Sequence, residues 1–525
     1  MTRTVGSIIG GKAATQAPGG RITSTNPARL DEVVAEALLG DAETFVEACR
    51  VARAAQPGWS AVPAPIRGLA VQQLGRLVEE NKEALSQLIT REIGKPIVES
   101  RGEVQEVIDT CNFFVGQGRQ LYGQTVPSEM PDKQLFTFRV PVGVAAIITA
   151  GNFPVAVPSW YLVPALVCGN TFVWKPAEYT PAIAEAFMQL FLHAGLPEGV
   201  VNMALVDGPA AFSGLELALG SGLVDKVGFT GSSEVGRRIG ELCGAHLQSP
   251  CLELGGKNPL VVMPDAELDL AVEGALFSGF ATAGQRCTSL GTVIVHESVH
   301  HEFVSRLAKA VDEAPVGDPT REVLYGPMIS ERFAHRFEGW LQLIESHHRV
   351  LGSTGTGRIT SENPRRGFIG DPTTGFYYHP TVVDGVASDD KLYQIETFGP
   401  IAGVATFATF DEAIDLANGH GYGLSSSIYT NDPKNVFRFR ERIKAGMVSV
   451  NNSTAGAESH LPFGGNGKSG NGSRQAGIWV LDQFTKWQAM NWDYAGKFQR
   501  AQIDVAEVEA DPAFRLADWS EVQPP

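Results

Sequence analysis

The sequence predicts an α/β protein, a doubly wound domain followed by a second α/β domain, on three observations. Val142–Thr149 and Asn170–Trp174 are unbroken runs of small, β-branched and aromatic residues, the composition of strands covered on both faces of a parallel sheet. The apolar segment between them, around Pro154 to Cys168, has the length of a crossover helix and completes a βαβ unit. Beyond Cys251 the alternation of strand and helix begins again, so a second α/β domain follows the first.

Taken in order, apolar residues at helical spacing predict helices from Asp41 to Ala55 and from Ile66 to Ile93, with Trp59 and the prolines at 57, 63 and 65 breaking the run between them. Two helices therefore lead the fold. Gly94 and Pro96 stop the second helix, and a third pattern runs from Glu99 to about Gly118. Gln134 to Val140 alternates polar and apolar residues as a half-exposed strand does. After the first βαβ unit come a helix at Pro181–Ala194, a strand at Val200–Leu205, a helix near Ala210–Leu219 and a strand at Val224–Phe229. The turn Thr230–Ser233 then opens a helix. The second domain, 254–465, has strands near Asn258–Val262, Thr292–His296, Ser425–Tyr429 and Val448–Asn452. Its helices fall at His300–Val311, Phe410–Asn418 and Lys434–Ala445, and Gly352–Pro364 reads as an exposed loop.

A chain of 525 residues with 43% hydrophobic content buries a large core, and 58 acidic against 42 basic residues give a net charge of −16. No global field draws such a protein to nucleic acid or to anionic lipid, so neither partner is expected. The longest apolar stretch is too short and proline-rich to span a bilayer. The first 20 residues lack the basic and apolar pattern of a secretory signal. Six cysteines without a CxxC pair fit reduced thiols in the cytoplasm. His296 and His300 share a ligand-like spacing, but their surroundings read as a charged surface helix and no metal is expected.

Chemistry concentrates between Cys251 and Ser289. Glu253-Leu254-Gly255-Gly256-Lys257 sets a carboxylate beside two glycines, and Gly284-Gln285-Arg286-Cys287-Thr288-Ser289 offers a thiol in a short loop-like segment. Their separation, 287 − 253 = 34 residues, is about one strand–helix excursion returning to the same sheet edge. A base and a nucleophile thus meet. Asn152-Phe153-Pro154 lies just past a buried strand, the edge where open α/β sheets bind ligands. Gly228 to Gly236 passes from a strand into a helix whose N-terminus suits a pyrophosphate.

This set resembles the NAD(P)-dependent aldehyde dehydrogenase superfamily over residues 25 to 495. The resemblance implies a Rossmann-type cofactor domain (1–121 and 141–253), an α/β catalytic domain (254–465), a small β oligomerisation element (122–140 and 483–503) and a C-terminal tail (504–525). It implies Cys287 as nucleophile, Glu253 as the base that activates water, and Asn152 with the Cys287 N–H as oxyanion donors. Lys175 and Glu178 of Trp174-Lys175-Pro176-Ala177-Glu178 would hold the adenine ribose, the carboxylate favouring NAD with NADP possible. Gly231 and Ser232 would touch the pyrophosphate. Glu396 and Phe398 of Glu396-Thr397-Phe398-Gly399-Pro400 would hold the nicotinamide ribose and ring. Pro462-Phe463-Gly464-Gly465 is read as structural, and Arg474-Gln475 departs from the usual Arg-Glu. Gly151, where the family has a bulky residue, predicts a looser pocket.

Within the family, Gly102 to Glu106, Pro127-Ser128-Glu129, the 148–160 segment and Ala455-Gly456-Ala457-Glu458 look like the α-aminoadipic semialdehyde dehydrogenase branch. That likeness adds Arg286, Glu106, Ala455 and Gly456 as substrate-binding candidates, with the small-molecule aldehyde as partner. The alternatives are α-ketoglutaric semialdehyde, a broad range of aldehydes, or a catalytically silent structural protein on this scaffold. A homodimer or homotetramer is expected, joined by extension of a sheet.

Overall fold

The computed structural model describes residues 3–353 and 355–515. Part of the predicted tail, 516–525, lies outside the described residues. Two compact units emerge: one takes in the chain up to Gln120 and from Pro141 to Thr485, the other Leu121–Val140 and the chain from Lys486 onward.

The larger unit holds two seven-stranded sheets. In the first, the strands Cys251–Glu253, Lys226–Thr230, Val144–Ile148, Thr171–Lys175 and Val201–Met203 run side by side and parallel, and Ile8–Ile9 and Lys12–Ala13 complete the edge. Register sets the C-terminal ends of four of them level: Thr230 faces Glu253, Phe229 faces Ile148, and Ile148 faces Lys175. That edge gathers the first half of the site. The crossover helix Ala156–Val167 is buried at every position, which explains its uniformly apolar sequence. Each large side chain it removes from water contributes roughly 1.5–3 kcal/mol.

The second sheet runs in the order Arg349–Leu351, Thr381–Asp384, Ile401–Phe407, Leu290–His296, Asn258–Val262, Ser425–Tyr429, Met447–Val450. The first pairing is antiparallel and the rest parallel. Its core packs Leu260, Val262, Val293 and Val295 against Phe303 and Leu307 of the helix Glu297–Glu313.

Several sequence expectations need correction. Helices do not lead the fold: a β-hairpin of Gly20–Asn26 and Arg29–Leu39 precedes them, with Arg3–Gly6 parallel to the latter. The first two predicted helices are three: Ala42–Ala61, Ala64–Glu80 and Lys82–Ile93. Pro57 sits inside the first of these, where tertiary packing of Trp59 overrides the local break signal. The helix Glu331–Leu341 and the strands Thr381–Asp384 and Ile401–Phe407 were not legible, because their neighbours carry mixed patterns.

The smaller unit is a three-stranded sheet in the order Thr485–Asp493, Lys133–Pro141, Thr125–Val126. Arg139 lies 4.2 Å from the Trp487 ring centroid, and Phe136 stacks on Phe138. Among the described residues no helix is long and apolar enough to cross a membrane. All six cysteines are free thiols.

Candidate active site

The nucleophile loop begins where the helix Leu268–Phe280 ends. Thr282, Ala283 and Gly284 follow with φ of 55°, 54° and 66°, three consecutive left-handed residues. That conformation costs roughly 1–2 kcal/mol for each residue with a side chain, so the surroundings must hold it. At Gly284 only glycine fits, because a β-carbon would stand 2.1 Å from the Gly399 carbonyl oxygen. The Glu99 carboxylate accepts from both the Thr282 N–H (3.2 Å) and its hydroxyl, and Gln285 Oε1 accepts from the Ile329 N–H at 3.0 Å. Past the turn, Asn258 Nδ2 donates to the carbonyls of Cys287 (2.8 Å) and Ser289 (2.7 Å), and the Thr454 hydroxyl donates to the Thr288 carbonyl at 2.8 Å. The thiol is thereby fixed at both shoulders.

Cys287 lines two cavities at once, one of about 250 Å³ and one of about 350 Å³. Burial first, then the carboxylates of Glu396 and Glu253, push its thiol up to about 12. The backbone N–H groups of Cys287 and Thr288 pull the other way, with the smaller effect. Burial likewise raises Glu253 well above the usual carboxylate range, against the opposing Gly465 N–H and Arg474. Glu253 Oε2 accepts from that N–H at 2.9 Å, and Oε1 is buried without a hydrogen-bond partner. A high-pKa carboxylate with a free oxygen is a matched acceptor for a thiol proton or a proton of water. Asn152 is buried and donates from Nδ2 to the Gln285 carbonyl at 2.9 Å, which places its amide beside the nucleophile loop.

The smaller cavity also meets Asn152, Thr230, Gly231, Ser232, Glu396 and Phe398. Ser232 caps the helix Ser233–Ala245, its hydroxyl accepting from the Val235 N–H at 3.4 Å, so a helix N-terminus borders the cavity. Glu396 accepts from the Gly256 N–H at 3.0 Å and is raised to about 7 by burial. Lys175 and Glu178 pair at 2.9 Å but do not line this cavity; Glu178 reaches its wall through Arg332, 3.6 Å away. This donor set fits an extended dinucleotide: cations and a carboxylate at one end, a helix N-terminus in the middle, and a carboxylate beside the thiol.

The larger cavity is walled by Glu99, Glu103 and Glu106 of the helix Ile97–Gln117, with Phe153, Trp160, Phe277, Arg286, Gly456 and Phe463. Glu106 accepts from Trp160 Nε1 at 3.2 Å and is raised to about 7, chiefly by burial. Arg286 is already paired with Glu99, and its Nε donates to the Thr282 hydroxyl at 3.1 Å. Ala455 does not line this cavity; it faces a neighbouring one with Val448 and Val450.

Two expectations change. Pro462–Gly465 is more than structural, since Gly465 holds Glu253. The space beside Gly151 is not looser: a β-carbon there would lie 2.7 Å from the Tyr179 ring, which fills it. The histidines at 296 and 300 bind Ser298, Ala408 and Asp384 through hydrogen bonds, and His347 and His348 both meet Asp390. Sequence reasoning missed Asn258, Glu99 and the buried Lys95–Glu103 pair, whose Glu103 Oε1 accepts from the Val155 and Ala156 N–H groups just after Asn152. The signal available was the 99, 103, 106 spacing, which sets three carboxylates on one helix face.

Comparison with known proteins agrees with this geometry. Residues 14–490 match the model of the aldehyde dehydrogenase family. The α-ketoglutaric semialdehyde dehydrogenase of Bacillus subtilis is 34% identical over 480 residues, spanning 91% of this chain and 96% of that one. The α-aminoadipic semialdehyde dehydrogenase of Bos taurus is 36% identical over 496 residues, spanning 92% and 88%. A betaine aldehyde dehydrogenase from Staphylococcus aureus, solved in complex with NAD+, superposes with a TM-score of 0.88 at 28% identity, covering 95% of this chain and 96% of that one. The chain is an oxidoreductase that belongs to the aldehyde dehydrogenase family.

Proposed function

We propose that the protein oxidises a semialdehyde to the carboxylate with NAD, through a thiohemiacetal and a thioester on Cys287. The observation that carries this reading is the place of Cys287, on the wall of both the cavity bordered by Gly231, Ser232, Glu396 and Phe398 and the acid-lined one. Glu253 Oε1 takes the thiol proton as sulfur adds to the carbonyl. The Asn152 amide and the Cys287 N–H receive the oxyanion, a donor of this type being worth about 3 kcal/mol in the barrier. When bound, NAD supplies the carbon that accepts the hydride. Gly231 and Ser232 would hold its pyrophosphate, Glu396 and Phe398 its nicotinamide half, and Lys175 with Glu178 its adenine ribose. Glu178 opposes a 2′-phosphate, whereas Arg332 beside it offers one a cation, so NADP is the weaker acceptor. Glu253 then activates water against the thioester. We place this chemistry in a reducing cytoplasm, on the six free thiols.

For the aldehyde we infer α-aminoadipic semialdehyde, because Glu106 offers its ammonium an acceptor that no cation occupies. The relatives that bear the name α-ketoglutaric semialdehyde dehydrogenase favour the second reading. NADH formation should decide: kcat/KM for the amino-acid semialdehyde should exceed that for α-ketoglutaric semialdehyde and a plain aliphatic aldehyde at least tenfold, about 1.4 kcal/mol. Glu106 is neutral below about 7 and charged above it. KM for the ammonium substrate should therefore fall as pH rises through that value, and Glu106→Gln should flatten the profile. A lead for the plain aldehyde would remove the substrate assignment and leave the chemistry standing.

We also infer a homo-oligomer. Met447–Val450 is the outer strand of the second sheet, with Val448 and Val450 37% and 39% exposed. Thr485–Asp493 is likewise an outer strand and exposes Trp487 and Trp492. Two such edges on different copies suit strand addition. Light scattering should give a dimer or tetramer, and Val448→Lys with Val450→Lys should shift it toward monomer; a monomeric wild type would refute the idea.

A further inference from the structure

The charges around the larger cavity do not cancel. Lys95 is matched with Glu103, both side chains fully buried. Arg286 is matched with Glu99, their side chains 11% and 14% exposed. Glu106 accepts a neutral indole N–H, and the acids in its neighbourhood, Asp109 and Glu458, add charge of the same sign. Phe153 and Phe277 flank the Arg286 guanidinium at 5.8 and 5.0 Å from its central carbon to the ring centroids, which adds to its satisfaction. Among the described residues Arg286 is thus the one cation on the wall, and its charge is spent on Glu99 before a ligand arrives.

Resting on the reading above, we propose that Glu99 is a specificity-determining residue: by neutralising Arg286 it leaves the cavity one negative charge in excess and disfavours aldehydes whose distal end is a lone carboxylate. Such an aldehyde meets Glu106 without a free cation to offset it, and like charges in a partly dry cavity repel strongly. An aldehyde with a distal ammonium meets Glu106 directly. A zwitterionic end satisfies Glu106 with its ammonium and uses the remaining guanidinium donors of Arg286 for its carboxylate. Glu99 touches the cavity wall and also holds the Thr282 turn, so its replacement alters rate as well as preference. A ratio between substrates removes that shared effect, because both pass through the same turn and the same thiol.

The test measures kcat/KM for succinic semialdehyde and for butanal in the full-length enzyme at pH 8, where Glu106 is charged, and reports their ratio. Wild type should favour butanal. Glu99→Gln, which keeps an acceptor for the Thr282 N–H, should raise the succinic semialdehyde to butanal ratio at least tenfold. Adding Arg286→Met should return the ratio to within twofold of wild type, because the released charge is then gone. Glu99→Ala, which frees the same charge with a smaller side chain, should move the ratio in the same direction. A wild type that already favours succinic semialdehyde, a ratio unmoved in both single variants, or a gain that survives Arg286→Met would each overturn the proposal. Absence of NADH formation from any aldehyde by wild type would instead fall on the catalytic reading, which separates the two.

Discussion

Cys287→Ala is expected to lower kcat for aldehyde oxidation by about four orders of magnitude or more. Dinucleotide affinity and thermal unfolding should stay near wild type. The reasoning separates the thiol from the loop that carries it. Asn258 and Thr454 grip the backbone carbonyls of Cys287, Thr288 and Ser289, and Gln285 is tied to Ile329; none of these bonds involves the sulfur. Alanine keeps the same backbone and leaves a gap of one atom beside cavities that are already open, so the destabilisation is small. What vanishes is the thiol shared by the two cavities. NADH absorbance in steady state, with a dinucleotide titration and a melting curve on the same sample, checks all three parts. Activity within tenfold of wild type would remove Cys287 from the mechanism, and lost dinucleotide binding would mean that the substitution had disturbed the fold.

Much of this was legible in the sequence where chemistry and local pattern coincide. Uniformly buried strands such as Val144–Ile148 announce themselves because both faces are apolar, and Glu253, Cys287 and Asn152 fall at strand ends or in short loops, where ligand-facing residues collect. The N-terminal hairpin stayed hidden because Arg29–Leu39 carries Asp31 on an exposed position and Glu32 and Glu36 on half-buried ones, and offers no long buried run until its end. The supports of the site were invisible for a different reason. Asn258 reaches a carbonyl 29 residues away and Glu99 a threonine 183 residues away, and no local periodicity encodes such pairings. Gly464-Gly465 read as structural, and the tie of Gly465 to Glu253 appears only once two stretches of chain meet, 212 residues apart. The thiol offers the sharpest contrast. A catalytic cysteine is expected in an electropositive setting, yet Cys287 sits between two carboxylates that raise it. A base that takes the proton during attack, as proposed for Glu253, fits that setting.

Glu253→Gln tests which proton that base takes. The substitution is nearly isosteric: the amide oxygen can still accept the Gly465 N–H, and the NH2 falls where Oε1 now has no partner. Packing is kept while the proton acceptor is lost. If Glu253 serves chiefly to activate water, mixing the variant with NAD and aldehyde should give one rapid equivalent of NADH per site. Turnover should then stall about 10²- to 10⁴-fold below wild type, with the thioester visible as an added mass on the intact chain. If it is also the acceptor for the thiol proton, the rapid phase should slow as well, and the two rates apportion the two duties. The pH dependence carries the sign. Burial holds the Glu253 carboxyl protonated to a higher pH than an exposed glutamate, so the wild-type hydrolytic rate should climb with pH as that proton leaves, and the variant's should not. Steady-state turnover at the wild-type rate with the same pH profile would remove Glu253 from both roles. The raised pKa would then be no more than the consequence of burying a carboxylate with a single hydrogen-bond donor.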